Sequence, residues 1–226
     1  MLLELSKITR YFGNGDPGNR RYVLDDISLA VGTGDSIAIT GPSGSGKSTL
    51  LHIMGTLDKP DSGTVKFNGT EIGSLKEPEL ARIRNRNLGF VFQLHYLLPQ
   101  LTLLENILVP VLPEKNSAIY KTAGKRALDL LEMVGLKDRT RQRPGQMSVG
   151  ECQRAAVVRA LIREPELILA DEPTGSLDHL SAMQMGNLLK ELNSKFSLAM
   201  VVVTHSMELA QNMDKIYRLD NGKLIR

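Results

Sequence analysis

Four short stretches of the chain are apolar almost without a break, and each ends in a polar residue. Ile37 to Ile39 lead to Thr40 and a glycine-rich turn, Leu88 to Phe92 to Gln93, Leu167 to Ala170 to Asp171-Glu172, and Met200 to Val203 to Thr204-His205. Continuous apolar runs of this length suit parallel strands covered on both faces. Residues 117–134 have helical spacing instead, with Ala127, Leu130, Leu131 and Val134 on one side and Gly135 as a stop. Another helix is predicted to start at Ser148, which forms a Ser-x-x-Glu capping box with Glu151, and to run through Ala155 to Arg163. The pattern is that of an α/β protein. In open α/β sheets ligands bind at the carboxyl ends of the strands, so a single crevice is expected to collect Lys47, Ser48, Gln93, Asp171, Glu172 and His205.

The turn after the first run is Gly41-Pro42-Ser43-Gly44-Ser45-Gly46-Lys47-Ser48, with Thr49 behind it, and it fits the P-loop pattern. Its glycines permit a tight nest in which successive backbone N–H groups point inward at an anion. A helix beginning near Lys47 adds the positive end of its dipole. Lys47 can reach β- and γ-phosphates, and Ser48 offers a hydroxyl to Mg2+. A nucleoside triphosphate is therefore the expected ligand.

Asp171 is placed like a carboxylate that holds Mg2+ through its water shell, and Glu172, one step further, is placed to polarise an attacking water. Taken alone, an acidic residue at a strand end is as readily a solvated group or a helix cap. The sequence Pro173-Thr174-Gly175-Ser176-Leu177-Asp178 that follows, together with the P-loop, favours chemistry. His205 lies on the same sheet edge, after a β-branched strand, where it can touch a γ-phosphate.

Composition narrows the class. With 226 residues, 42% of them hydrophobic, the chain can bury a core as one domain or as one domain with a subdomain. The one cysteine, Cys152, has no partner for an internal disulfide and is expected as a small packed side chain in a cytoplasmic protein. Met1 to Lys7 contain no basic leader before a long apolar stretch, and the longest apolar run is Leu198 to Val203, so neither secretion nor membrane crossing is expected. The formal net charge is +3, and the basic clusters Arg82 to Arg86 and Arg139 to Arg143 are short, as solvated faces are.

In order and context these motifs resemble those of the ABC transporter ATPases. The P-loop, Gln93, Met147-Ser148-Val149-Gly150-Glu151, Leu169-Ala170-Asp171-Glu172, Ser176-Leu177-Asp178 and His205 carry the resemblance, which covers nearly the whole chain. It implies an α/β P-loop NTPase (RecA-like) core with an N-terminal antiparallel β subdomain and an inserted α-helical subdomain, all in one ABC ATPase domain over residues 1–226. Residues 1–93 and 159–226 are expected to form the core with the β subdomain, and 94–158 the helical subdomain that carries the signature. The resemblance also implies ATP hydrolysis, with Glu172, His205 and Gln93 as catalytic residues and Ser48, Gln93 and Asp171 around Mg2+. Tyr11 resembles the aromatic that stacks on adenine, although an aromatic near a strand end is as often core. In this family two copies sandwich two ATP molecules head to tail. Ser148 and Gly150 would thus meet the nucleotide of a second copy, where a helix N-terminus offers orphan N–H groups to the γ-phosphate, and Glu151 and Asp178 are implied among the nucleotide-binding residues.

The signature departs from the usual Leu-Ser-Gly-Gly-Gln at Met147 and Val149, while Glu151 is a common variant. Valine keeps its N–H but disfavours positive φ and adds bulk where a phosphate approaches, so reduced γ-phosphate affinity is expected. No heptad array lies between Lys47 and Ser148, unlike DNA-handling relatives, and one cassette is present where ribosomal relatives carry two. The chain resembles the separately encoded ATPase of a transporter, with no nucleic-acid partner.

The finer likeness is to the lipoprotein-releasing and macrolide or peptide exporter branch, carried by Ala81 to Pro99, Leu104 to Ile107 and Leu169 to Asp178. It implies integral membrane permease subunits whose coupling helices dock near Leu94 to Leu98, unless those residues pack the helical subdomain. It also implies a peripheral position on the cytoplasmic side of a bacterial inner membrane. Release of lipoproteins is the leading expectation. The alternatives are an exporter ATPase, a cell-division or cell-wall-regulating complex, and a nucleotide-gated regulator that hardly hydrolyses ATP, against which Glu172 and His205 argue.

Overall fold

A computed structural model describes residues 1–13, 21–114 and 117–225, apart from the side chain of Ser117. Along the chain, β1 (Leu3–Phe12), β2 (Arg21–Val31) and β3 (Ser36–Thr40) precede α1 (Lys47–Met54), β4 (Ser62–Phe67), β5 (Thr70–Glu71), α2 (Glu77–Arg86) and β6 (Leu88–Val91). Then come α3 (Leu103–Leu108), α4 (Ser117–Met133) and α5 (Val149–Leu161). The remainder is β7 (Leu167–Asp171), α6 (His179–Phe196), β8 (Ala199–Thr204), α7 (Met207–Ala210), β9 (Lys215–Asp220) and β10 (Lys223–Ile225).

The main sheet has the order β10-β9-β3-β8-β7-β6, parallel throughout except for β10, which returns antiparallel on β9. A second, antiparallel sheet has the order β2-β1-β4-β5. All of β3 and β8 is buried, because each is flanked by strands on both edges and covered on both faces. Side-chain alternation divides these strands between two hydrophobic clusters. Ile37, Ile39, Leu167, Leu169, Val201 and Val203 pack with α1 and the antiparallel sheet. Ala38, Ile168, Ala170, Met200 and Val202 pack with α3 to α6. Each fully buried aliphatic side chain here contributes roughly 1.5–3 kcal/mol of transfer free energy. This is why the runs are apolar at every position.

The helix expected at Ser148 starts there, with Ser148 as N-cap, and ends at Leu161 rather than Arg163. Glu164 takes a left-handed φ of 55° just before Pro165, which disfavours a continued α conformation in the residue before it. α5 is continuous across 158 and 159, the boundary expected between the helical and core segments. Cys152 is buried within α5, against the carbonyl of Pro144.

Candidate functional site

The carboxyl ends of β3, β6, β7 and β8 open on one cavity of about 870 Å³. Ser43, Gly44, Gly46, Lys47, Ser48, Thr49, Gln93, Asp171, Glu172 and His205 line it. Gly46 caps α1 with a left-handed φ of 99°, and a side chain there would meet Val23 Cγ1 at 2.7 Å and its carbonyl at 2.8 Å. No side chain caps α1 and no acidic residue stands in its first turn, so its leading N–H groups are left for an anion. The buried Lys47 ammonium donates to the carbonyls of Gly41 at 2.9 Å and Pro42 at 3.0 Å and so curls the loop around itself. Gly41, Pro42 and Ser45 form the back of this loop rather than the cavity wall.

At the end of β7, Asp171 Oδ1 accepts from the Ser48 hydroxyl at 3.1 Å. Burial raises the Asp171 carboxyl above the ordinary carboxylate range, opposed by the Ser48 hydroxyl, His52 and Lys47 and reinforced by Glu172. Glu172 follows with a left-handed φ of 46°, a conformation uncommon for a side chain of this size. The turn aims its carboxylate across the sheet edge. Glu172 Oε1 lies 2.9 Å from His205 Nδ1, and Oε2 accepts from Thr204 Oγ1 at 3.0 Å and from the His205 N–H at 3.2 Å.

The sequence reading brought Glu172 and His205 to the same edge but missed their direct contact, and it gave Thr204 no role. Thr204 was legible as the last residue of a strand whose next residue, His205, was already singled out.

A Mg2+ ion suits the donors present. Ser48 and Asp171 are already within hydrogen-bond distance, the Gln93 amide opens on the same cavity, and the carboxylate is half-buried. These are hard oxygen donors, and few of them, as Mg2+ prefers when phosphates and water complete its shell. Among the described residues no cluster of three or more His, Cys, Asp or Glu side chains forms a metal centre of another kind.

Tyr11 is not among the described residues lining the cavity. Successive residues of an extended strand face opposite ways, and Phe12, with Arg21 and Val23, lines it instead. Tyr11 packs edge-on against Tyr22 of β2, ring centroids 5.8 Å apart, while the Arg10 guanidinium lies over the Phe12 ring at 5.5 Å. The adjacent Tyr11-Phe12 pair left the choice open to a half-turn of the strand, which the sequence alone does not fix.

Ser148, Gly150, Glu151 and Asp178 also stand outside the cavity. Ser148 Oγ accepts from the Glu151 N–H at 3.2 Å, and Glu151 Oε2 accepts from the Ser148 N–H at 2.8 Å, the reciprocal box that the sequence suggested. Arg139 adds an ion pair to Glu151 at 3.3 Å. Asp178 caps α6 through the N–H and hydroxyl of Ser181, at 3.0 and 2.6 Å, and Ser181 in turn adjoins Gly150. Val149 is the first residue of α5, in helical conformation, with its side chain half exposed. Its N–H is thus presented as glycine's would be, and only its bulk distinguishes it.

Beyond Gln93, Leu97 is buried among the α3 and α4 side chains, whereas Leu94, Tyr96 and Leu98 are exposed. Phe90 stacks on Phe92, and Phe92 meets Tyr96 edge-on at 5.6 Å. Phe90 and Phe92 border a second cavity of about 240 Å³, reached also by Arg84, Pro110 and Arg159. The two readings of this stretch divide residue by residue: Leu97 packs the helical layer, and its neighbours face outward.

A family model described as ABC transporter matches residues 24–175. The lipoprotein-releasing system ATP-binding protein LolD of Legionella pneumophila (strain Paris) is 44% identical over 224 residues, spanning 99% of this chain and 97% of that protein. The protein of the same name from Pseudoalteromonas translucida is 47% identical over 209 residues, 92% of this chain and 89% of the relative. Among solved structures, the dimeric bacterial ABC transporter cassette MJ0796 superposes with a TM-score of 0.87 at 37% identity, covering 100% of this chain and 97% of that one. Its post-hydrolysis state bound to ADP and Pi superposes at 0.86, with 35% identity and the same coverage.

Proposed function

The chain belongs to the ABC transporter ATP-binding family, and from that premise we propose that it is the ATP-hydrolysing subunit of a lipoprotein-releasing system. It acts as a homodimer closed around two ATP molecules, beneath integral membrane permease subunits on the cytoplasmic side of a bacterial inner membrane. The observation that carries this reading is a division. Lys47, Ser48, Gln93, Asp171, Glu172 and His205 share one cavity, whereas Ser148, Gly150 and Asp178 are gathered outside it at the N-terminal ends of α5 and α6. Two copies set head to tail bring the second set over the first, and the dimeric cassette of similar fold supports that arrangement.

Within the closed site the roles follow from the atoms. The α1 N–H groups and Lys47 bind the phosphates, and Phe12 offers its ring to the base. Glu172 accepts a hydrogen bond from water and takes its proton as the water oxygen bonds to the γ-phosphorus and the bridging bond to ADP breaks. His205 Nδ1–H donates to that carboxylate and holds it in place. Ser48, Gln93 and Asp171 would hold Mg2+, which would neutralise phosphate charge there.

Hydrolysis removes the phosphate that the partner's α5 engages, so the dimer is less favoured with ADP than with ATP. The exposed Leu94, Tyr96 and Leu98, beside the Phe90-Phe92-Tyr96 rings, suit a short amphipathic helix of a permease, which would follow that opening and closing. Among the described residues no helix is long and apolar enough to cross a membrane, so the crossing falls to that partner.

Lipoprotein release rests on the names of relatives 44% and 47% identical. The test is to isolate the chain with its co-purifying membrane proteins, reconstitute them in lipoprotein-loaded vesicles and follow lipoprotein release on adding Mg-ATP. Release that depends on Lys47 supports the reading. Export of a soluble peptide or drug without lipoprotein release would replace it with the exporter alternative.

A further inference from the structure

Phe12 lines the cavity from the end of β1, half exposed, and the residue two positions before it holds its ring. The Arg10 guanidinium lies over that ring, 5.5 Å from its centroid, and is itself outside the cavity. One face of the ring is thus backed by a cation, and the other is left for a ligand. Arg10 is pinned in turn by two carboxylates from the connection between α1 and β4: Nη2 donates to Asp58 Oδ1 at 3.1 Å and Nη1 to Asp61 Oδ1 at 3.2 Å.

The arrangement is more than a solvated ion pair. None of the three charged side chains is more than 32% exposed, and the guanidinium fork spans two separate acids, which the point charge of a lysine does not reproduce. Asp61 also accepts from the Tyr11 N–H at 2.9 Å and donates its own N–H to the Thr9 carbonyl at 2.9 Å, so one acid fixes the backbone on both sides of Arg10. The N–H groups of Leu57 and Asp58 bond the His52 carbonyl in the last turn of α1, at 2.8 and 3.3 Å. α1 therefore carries the phosphate loop at its N-terminal end and, through Asp58 and Arg10, the aromatic ring at its other end. An exposed ring at a strand end loses rotational freedom when a base stacks on it, and a ring already held loses less.

We propose that Arg10 is a positioning residue for the nucleobase: held by Asp58 and Asp61, it fixes the Phe12 ring relative to the P-loop and, by drawing on the ring's π electrons, strengthens stacking of a purine on the open face. The inference rests on the reading of Phe12 as the ring that meets the base. Arg10 acts through that ring alone, so its effect is confined to ligands that carry a base. Phosphate binding at α1 and Lys47 does not depend on it.

The test is calorimetric binding of Mg-ATP and of Mg-tripolyphosphate, which has the phosphates without the base, to the full chain. Phe12→Ala should weaken ATP about tenfold, the loss of one base stack, and leave tripolyphosphate within about twofold of the parent. Arg10→Met, which keeps the length and loses the charge, should weaken ATP about fivefold, with tripolyphosphate again within about twofold. Arg10→Lys should bind ATP within about threefold of the parent, since an ammonium keeps a charge over the ring but not the fork. Adding Arg10→Met to Phe12→Ala should cost nothing further. If Arg10→Met does not fold, Asp58→Asn, which releases one arm of the fork, decides in the same way. An ATP affinity in folded Arg10→Met or Asp58→Asn equal to the parent's, a loss shared equally by tripolyphosphate, or a loss that adds to that of Phe12→Ala overturns the inference. A Phe12→Ala chain that binds ATP as the parent does overturns the reading of the ring and the inference with it. A parent that binds neither ligand overturns the ATP site itself.

Discussion

Replacing Glu172 by glutamine separates catalysis from binding. The carboxylate takes three contacts, from His205 Nδ1 at 2.9 Å, Thr204 Oγ1 at 3.0 Å and the His205 N–H at 3.2 Å. Glutamine has nearly the same shape and retains one oxygen acceptor, so Thr204 and the His205 N–H keep a partner and no void opens. The cost to the resting site is on the order of one hydrogen bond, about 1 kcal/mol. What disappears is the group that accepts the water's proton. General-base catalysis is worth roughly 100- to 10,000-fold, or about 3–5 kcal/mol on the barrier. Single-turnover phosphate release should slow by that factor, while the Kd of a fluorescent ATP analogue changes less than about threefold. A rate within tenfold of the parent's, or a rate and an affinity that fall together, would refute the assignment of Glu172 as the base.

Gly46→Ala places a methyl group against Val23 at a φ of 99°, costing roughly 1–3 kcal/mol; denaturant unfolding should show this loss and nucleotide binding should fall more than about tenfold. Val149→Gly removes bulk but no donor, so the KM for ATP should drop about two- to threefold at unchanged kcat; a tenfold drop would mean that the position needs glycine's backbone freedom. The Ser148 N–H, aided by Arg139, holds the Glu151 carboxyl below the ordinary range. Because this folded pKa is depressed, the stability it contributes is complete above the usual carboxylate pKa of about 4.3 and is lost as pH falls through the lower folded value. Urea midpoints measured from pH 6 downward should therefore decline less steeply below about pH 4 in Glu151→Gln than in the parent.

The parts of the fold that the sequence revealed are those buried on both sides. β3, β7 and β8 show as unbroken apolar runs because alternate residues feed separate clusters, and their carboxyl ends mark the site. β9 escaped notice, since Lys215, Arg218 and Asp220 interrupt Ile216, Tyr217 and Leu219 and leave no apolar run. The P-loop and the capping box are local and were legible from spacing alone. The contact between Glu172 and His205 depends on the left-handed turn at Glu172, and the hold of Asp58 on Arg10 spans 48 positions; neither has a local signature. That Phe12 rather than Tyr11 lines the cavity turns on strand orientation, in a strand whose register shifts next to Tyr11. Chemistry-bearing residues were thus found where a strand end fixed them, and missed where a side chain reached across the fold.

The central claim is that each active site is built from two chains, and mixing two defective chains tests it most directly. Lys47→Ala disables the P-loop but leaves the signature, and Ser148→Arg does the reverse, so neither homodimer contains an intact site. A mixed dimer contains one. In an equal mixture, with half of the dimers mixed and one of two sites intact in each, ATP hydrolysis should recover to about a quarter of the parent rate. Mixtures no more active than the separate variants, or a Ser148→Arg chain that hydrolyses ATP unaided, would contradict the account.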